Sequence, residues 1–266
     1  MTRRRIILLA LGVLLGVRPV AASVAPRDLL DVRRQMYATT YAWSDQHQVL
    51  KVTTVDAGAH EQERTIELFE RRYGDGARKV LLVFLAPDNV KGMAVLSQER
   101  AGGGEPERWL YLPRQKRARR FAGQMKDEGM MGTDLTAAEL DLMTETLQWT
   151  ATAVRATVRG PERIEDVETY AFDVTDVHEY PRVVLWVGTR DLVMRQLELW
   201  GPEAVVKRIR QREVRFVGAI PVPSRVEVES PKAGTRSIFE VVEVQFDRGF
   251  PDDVFSLPLL ATPNRD

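Results

Sequence analysis

The side chains that most often carry catalysis or bind metals are sparse in this sequence of 266 residues. The three histidines are His47, His60 and His178, and no two of them have the helical spacing typical of metal ligands. No serine lies in a G-x-S-x-G turn, no glycine-rich turn has phosphate-binding spacing, and there is no cysteine. The sequence therefore predicts no metal site, no cofactor and no enzymatic activity.

One class of hydrolase stays open at this point, because the two carboxylates of a glycosidase need not be close in the chain. The adjacent acids at 127–128 and at 252–253 stand in turn-like contexts, which favours solvated loops. The 38 Lys and Arg residues balance 38 Asp and Glu residues, and this neutrality gives no reason to expect nucleic-acid binding. With 44% hydrophobic residues and no possible disulfide, the composition is that of a globular domain.

The first residues have the pattern of an export signal. Arg3, Arg4 and Arg5 precede an uncharged apolar run over residues 6–17, and small residues follow at 21–23. The run is shorter than the roughly 20 residues of a membrane span, so we expect residues 1–22 to be a cleaved signal peptide. An uncleaved anchor is the alternative, and the pattern leaves the Sec and twin-arginine routes open. Cleavage would leave 34 basic and 38 acidic residues in a periplasmic protein.

The remaining residues, 23–266, are predicted to form one domain. Asp28 is a candidate cap for a helix in which Leu29, Val32, Met36 and Tyr37 share an apolar face. Alternating patterns and turn signals then predict antiparallel strands over residues 49–52, 65–69, 79–85, 92–98, 108–112, 149–158, 170–177, 182–187, 192–200, 205–217, 225–229 and 237–246.

A short central helix interrupts these strands. Thr136 and Glu139 have capping-box spacing, and Leu135, Leu140 and Met143 would form its apolar face. We predict a mainly β fold with few helices, in which a single curved antiparallel sheet lies against an N-terminal and a short central helix. Such a sheet either packs as an ordinary sandwich core or leaves an apolar hollow for an elongated ligand, and the pattern alone leaves both open.

The densest group of charges is a basic segment, defined here as Arg114, Lys116, Arg117, Arg119 and Arg120. It follows directly after the aromatic strand at residues 109–112. It predicts either a solvated strand face and hairpin or a rim that contacts lipid head groups or an acidic partner, nucleic acid being the weakest choice. The next segment, residues 125–135, is rich in methionine and glycine. It predicts either a flexible flap over the hollow or a loop packed on the core.

Four blocks together resemble one known family. They are residues 84–96 (FLAPDNVKGMAVL), 109–113 followed by 116–120, 131–136 (MGTDLT) and 251–257 (PDDVFSL). In this order they are similar to the periplasmic LolA-like group of outer-membrane lipoprotein-sorting proteins, of the type associated with exporters. The third block departs from the family pattern Met-Gly-Ser-Asp-Phe-Ser, since Thr133 and Leu135 replace its serine and phenylalanine.

The resemblance implies an unclosed half β-barrel around helices, with an apolar cavity for acyl chains and no enzymatic step. It implies a carrier that moves a lipoprotein or lipid between the inner and outer membranes, with an exporter of the RND/MMPL type as partner. We expect a monomer whose cavity candidates are Leu82, Phe84, Met93, Val95, Trp109, Tyr111, Phe121, Met130, Met131, Leu135 and Trp149. The alternative function is a sensor of lipid or lipoprotein that regulates an envelope stress response.

Overall fold

The computed structural model describes residues 28–256 except 103, 105, 122–128, 130–131, 137–138, 140–154 and 178–179. The predicted signal peptide lies outside the described residues. So do three cavity candidates, Met130, Met131 and Trp149, and the side chain of Phe121. No helix in the part of the chain that the structure describes is long and apolar enough to cross a membrane.

The N-terminal helix α1 spans Leu29–Thr40 and buries one face. Asp28 occupies its N-cap position, but the carboxylate makes no capping hydrogen bond, and the carbonyl of Asp28 accepts the first helical bonds instead. Leu29, Val32 and Met36 are buried, as their spacing predicts. The prediction was wrong for Tyr37, which is 39% exposed at the edge of the helix.

Thirteen antiparallel strands form one sheet that does not close. The first six form a meander and the last seven form another, and the ladder between β1 and β13 joins the two, so that β6 and β7 are the edges. The predicted fold class, a single unclosed antiparallel sheet with few helices, is confirmed. The strands are β1 Asp45–Val55, β2 Glu61–Arg72, β3 Arg78–Ala86, β4 Ala94–Glu99, β5 Glu107–Leu112, β6 Arg117–Phe121, β7 Arg155–Ile164, β8 Val167–Val177, β9 Tyr180–Gly188, β10 Met194–Trp200, β11 Val205–Val217, β12 Ile220–Ser230 and β13 Thr235–Phe246.

The sheet has an inner face, defined here as the one that packs on α1. Along β12, Val228 belongs to the core beneath α1 and Val226 packs against it, whereas Arg225 and Glu227 on the other face pair with charged neighbours. This alternation is the period-two signal of a sheet with one buried face. The inner core joins α1 to β8–β12 through Leu29, Val32, Met36, Tyr170, Phe172, Val174, Val183, Leu185, Val187, Leu197, Leu199 and Ile209.

The outer face of β10–β13 carries charges that neutralise one another across neighbouring strands. Arg208 contacts Glu198 at 2.8 Å, and Arg210 contacts Glu229 at 2.7 Å. Further along β12, Arg225 contacts the carboxylates of Glu227 and Glu240. Opposite charges on neighbouring strands stabilise their pairing, and these contacts let this face meet water.

The outer face of β3–β5 is instead covered by a short 3-10 turn, Asp252–Phe255. Phe255 is 1% exposed and packs on Leu81, Leu96 and Tyr111. The last of the four sequence blocks, residues 251–257, therefore covers part of the outer face of the sheet.

Candidate ligand-binding cavity

A cavity of about 300 Å³ lies on the inner face, where the two meanders meet. The first meander contributes β1, β2 and β3, and the second contributes β12 and β13. Thr133 and Leu135, which precede the predicted central helix, also line it. Its lining residues are Gln48, Leu50, Ile66, Leu68, Glu70, Arg78, Val80, Leu82, Phe84, Thr133, Leu135, Val222, Pro223, Val226, Val228, Phe239 and Val241.

The cavity is polar at one end and apolar along the rest of its length. Along β3 it is lined by Arg78, Val80, Leu82 and Phe84, which alternate with residues on the outer face. From Arg78 to Phe84 the strand rises by six residues, which corresponds to about 20 Å. The long axis thus runs parallel to the strands, a shape that suits an elongated apolar guest with a polar head.

The polar end is defined by Gln48, Glu70 and Arg78. The side chain of Glu70 is 5% exposed, and it accepts hydrogen bonds from Arg78 Nε at 2.6 Å and Gln46 Nε2 at 2.7 Å. Burial by itself would raise the pKa of Glu70, but the positive charges of Arg78 and Arg72 hold that pKa below its ordinary value. Glu70 is therefore ionised near neutral pH although it is buried.

Arg78 is shared between two carboxylates. Its Nε contacts Glu70, and its Nη1 donates to Glu99 at 2.9 Å. Burial lowers the pKa of this guanidinium, and the charges of Glu70 and Glu99 outweigh burial and raise it. Both bonds fix Arg78 at the wall of the cavity as a permanent cation.

A second arginine, Arg72, contacts Glu70 from outside the cavity. Arg72 Nε contacts Glu70 at 3.2 Å, and its guanidinium lies 3.6 Å from the ring centroid of Tyr41 and 5.0 Å from that of Trp43. These aromatic faces hold the cation in place. Its Nη2 is buried without a hydrogen-bond partner. Arg72 does not itself line the cavity, so it supports Glu70 from behind the wall.

At the other end of the cavity, Thr133 and Leu135 form part of the lining. Leu135 is 8% exposed and also belongs to the core beneath α1. Between these two residues, Asp134 turns towards β12 and β13. Its carboxylate accepts hydrogen bonds from Ser230 at 2.7 Å, from Ser237 at 2.8 Å and from Thr235. We call these four residues, Asp134, Ser230, Thr235 and Ser237, the Asp134 anchor.

The predicted capping box is present next to the anchor. The Thr136 N–H donates to Glu139 Oε2 at 2.8 Å, and the Glu139 N–H donates to Thr136 Oγ1 at 3.1 Å. Glu139 also accepts a hydrogen bond from Tyr180 at 3.1 Å and lies 3.5 Å from the Lys207 ammonium. The helix that would follow, with Leu140 and Met143, lies outside the described residues.

The predicted cavity residues fall into separate groups. Leu82, Phe84 and Leu135 line the cavity, and Met93 packs beside Phe84 without lining it. Trp109 and Tyr111 lie on the outer face of β5, in the cluster under Phe255, and are not part of the wall. The strand alternates as predicted, but its neighbours show that Leu110 faces inwards and the two aromatic residues face outwards.

A row of directly opposed residues connects the cavity to the edge of the sheet. Leu82 on β3 is opposite Val95 on β4, Val95 is opposite Leu110 on β5, and Leu110 is opposite Arg119 on β6. Opposed residues share a face of the sheet. The inner face is therefore apolar from the cavity wall to a cation on the edge strand. We call these four residues the Leu82 row.

All five members of the basic segment are exposed. Arg120 contacts Glu107 at 3.1 Å on the outer face. The other four, Arg114, Lys116, Arg117 and Arg119, have no acidic partner among the described residues. This contrasts with the outer face of β10–β13, where Arg and Glu are paired. Four unpaired cations at one edge create a local positive potential on a chain that is neutral overall.

Sequence reasoning missed the polar end of the cavity and all of its wall from β12 and β13. Glu70 and Arg78 lie directly beside other charged residues in the sequence, which is typical of a solvent-facing segment. One signal was available, because Val226 and Val228 repeat at period two near the end of the chain. Within the described residues, no group of three or more His, Asp or Glu side chains is placed to hold a metal ion.

Comparison with known proteins shows the family and the fold. A family model described as "Uncharacterized protein" matches residues 76–262. No curated protein matches the sequence. A DUF1329 family protein from Desulfovibrio piger has a similar structure, with a TM-score of 0.77 and 20% identity over 87% of this chain and 97% of that one.

Two further structures have the same fold. A domain from Vibrio parahaemolyticus, assigned to outer membrane lipoprotein-sorting proteins, gives a TM-score of 0.75 at 17% identity, covering 87% of this chain and 97% of that one. A LolA superfamily protein from Nitrosomonas europaea gives 0.63 at 14% identity, covering 88% and 99%. The chain therefore belongs to the family whose model spans residues 76–262, and it has the LolA-like fold that its sequence blocks predict.

Proposed function

We propose that this protein is a periplasmic carrier that holds the acyl chain of a lipid or lipoprotein in the cavity between the two meanders. The observation that carries the proposal is the cavity itself, an elongated apolar space on the inner face with one polar end. Proteins of the same fold include a domain assigned to lipoprotein sorting. Binding needs no chemical step, and we propose that the protein is not an enzyme.

The apolar wall supplies the binding free energy in this proposal. Burial of hydrocarbon yields about 0.8 kcal/mol per methylene, so ten methylenes contribute about 8 kcal/mol before the entropic cost of binding. That is sufficient to keep a single chain out of water during passage between membranes. Release then requires an acceptor with a comparable apolar site.

The basic segment is proposed as the part of the carrier that approaches an anionic membrane surface. Its unpaired cations lie at the end of the Leu82 row, so a lipid tail leaving such a surface meets an apolar path towards the cavity. An inner-membrane exporter of the RND/MMPL type is proposed as the partner that loads or unloads the carrier. This last proposal rests on the resemblance of the sequence blocks.

The proposal is tested by direct binding. Purified protein is stripped of lipid and titrated with a fluorescent fatty acid, and the untreated protein is analysed by native mass spectrometry for bound lipid. We expect saturable binding at one site and displacement by unlabelled lipid. A protein that contains no lipid and binds no probe after stripping overturns the proposal.

Two adjacent valines on β13 give a matched pair of variants. Val241 lines the cavity, whereas Val242 is 63% exposed at the bulge of the ladder with β1 and does not line it. Val241→Phe fills part of the space and is expected to weaken probe binding about tenfold or more, because lost cavity volume removes methylene contacts. Val242→Phe adds the same atoms outside the cavity and is expected to leave binding unchanged. Equal effects of the two substitutions would place the probe elsewhere.

A further inference from the structure

We infer that the polar end of the cavity selects a guest whose head group is uncharged and offers a carbonyl or hydroxyl oxygen, as in an acylglycerol, over a guest with a carboxylate. This inference rests on the proposed function, because it names the chemical class of ligand for the same cavity. It follows from the charge balance of the polar end and from a hydrogen-bond donor of Arg78 that has no acceptor, and the volume of the cavity sets the length of the guest.

The charges at the polar end cancel. Two cations, Arg72 and Arg78, face two carboxylates, Glu70 and Glu99, and the contacts between them measure 2.6–3.2 Å. The side chains of both arginines are 13–14% exposed, so water screens them weakly. The neighbouring Gln46 and Gln48 side chains carry no charge. An anionic head group would add a third negative charge in a region of low dielectric constant.

The hydrogen-bonding capacity is not balanced. A guanidinium has five N–H donors and no acceptor. Arg78 uses Nε and Nη1 on its two carboxylates, and its Nη2 has no acceptor among the described residues. A guest that brings an oxygen acceptor without a charge satisfies a free donor and leaves the charge balance intact.

The cavity has room for one chain of medium length. A volume of 300 Å³ holds about ten groups of the size of a water molecule, and a methylene group is of similar size. One such chain fits this space with its tail against Leu135 and its head against Arg78.

The test compares two ligands with the same tail on the lipid-free full chain. Monodecanoylglycerol and decanoate are titrated by calorimetry near neutral pH, where decanoate is ionised. We expect monodecanoylglycerol to bind about tenfold more tightly. Decanoate binding as tightly or more tightly overturns the inference but not the proposed carrier function. If neither ligand binds, the proposed function itself fails.

A charge variant separates head-group selection from solubility. Glu99→Gln removes one carboxylate from Arg78 and leaves Glu70 in place, and the Glu99 side chain is 26% exposed, so the fold tolerates the change. Decanoate affinity is expected to rise about fivefold while monodecanoylglycerol affinity stays within about twofold. Glu107→Gln is the matched control, because Glu107 pairs with Arg100 and Arg120 on the outer face. An unchanged ligand ratio in Glu99→Gln overturns the inference.

Discussion

Asp134 and Ser237 exchange two hydrogen bonds although 103 positions separate them in the chain. The Asp134 N–H donates to Ser237 Oγ at 2.7 Å, and Ser237 Oγ donates to Asp134 Oδ2 at 2.8 Å. Since Leu135 lines one end of the cavity, this pair fixes the neighbouring lining residue to β13. The family block around residue 134 is therefore an attachment point for the stretch that covers the cavity.

The anchor leads to a prediction about stability and local opening. Asp134→Asn weakens three hydrogen bonds from hydroxyl groups to a charged acceptor, and we expect it to lower the free energy of unfolding by roughly 2 kcal/mol. Amide hydrogen exchange at residues 132–136 should become faster by a larger factor than in the core of β8–β10. Urea unfolding and exchange mass spectrometry measure the two effects. Asp88→Asn, at an exposed position, serves as the control and should change neither.

The packing of Phe255 on the outer face predicts that its removal lowers stability without weakening ligand binding. Phe255→Ala removes a ring that is 1% exposed and should cost about 3–5 kcal/mol, because it leaves a cavity above Leu81 and Tyr111. Chemical denaturation measures this cost. Phe216→Ala, at a residue that is 56% exposed, is the matched control and should have little effect. If folded Phe255→Ala protein lost the fluorescent probe, the site would extend to the outer face.

The ionised Glu70 predicts acid sensitivity. Its pKa in the folded protein is lowered from 4.5, so its contribution to stability is present above about pH 4.5 and is lost as the pH falls through the lowered value. Glu70→Gln removes a buried partner of two arginines and should cost roughly 3 kcal/mol near neutral pH. The variant should also lose less stability than the wild type between neutral and acidic pH.

Thermal unfolding across a pH series measures this difference. Glu63→Gln is the control, since Glu63 pairs with Lys51 at the surface and its side chain is 58% exposed. Parallel stability curves for the wild type and Glu70→Gln would show that Glu70 contributes nothing to the acid response. The difference between curves is the relevant quantity, because Asp173, whose pKa a hydrogen bond from Arg182 lowers, also titrates in acid.

The unpaired cations of the basic segment predict membrane binding that depends on salt. Arg117→Glu combined with Arg119→Glu should reduce binding to vesicles containing anionic phospholipid about tenfold or more, and added salt should reduce wild-type binding. Arg190→Glu combined with Arg215→Glu changes the net charge equally at exposed positions and should have a smaller effect. Equal losses for both double variants would attribute the binding to net charge alone. A vesicle co-sedimentation assay measures all three proteins.

The sheet was largely predictable because its strands alternate visibly. The pattern of Val226 and Val228 against Arg225 and Glu227 gives both the strand and its buried face. Strand β6 was predicted only as one alternative for the basic segment, a solvated strand face in a hairpin, because its arginines are typical of solvent-facing surface and its pairing depends on β5, a neighbour in space. The capping box was predictable because Thr136 and Glu139 contact each other over a local distance.

The site was harder to predict because its parts are distant in the chain. Residues 108–112 are apolar on both faces except for the first, so only the register with β4 decides that Leu110 and not Trp109 faces inwards. The polar end requires Glu70 and Arg78 to be buried together, and a charged side chain in a sequence normally indicates exposure. Partners from β12 and β13 become visible only once β13 pairs with β1.

The junction between β1 and β13 has a consequence for a loaded molecule. The cavity takes its walls from both meanders, so a guest touches each half across the seam that holds them together. A bound guest would therefore link the two meanders, and the ligand-free protein should unfold in a less cooperative transition than the ligand-bound protein. The width of the thermal unfolding transition would then report whether a ligand is bound.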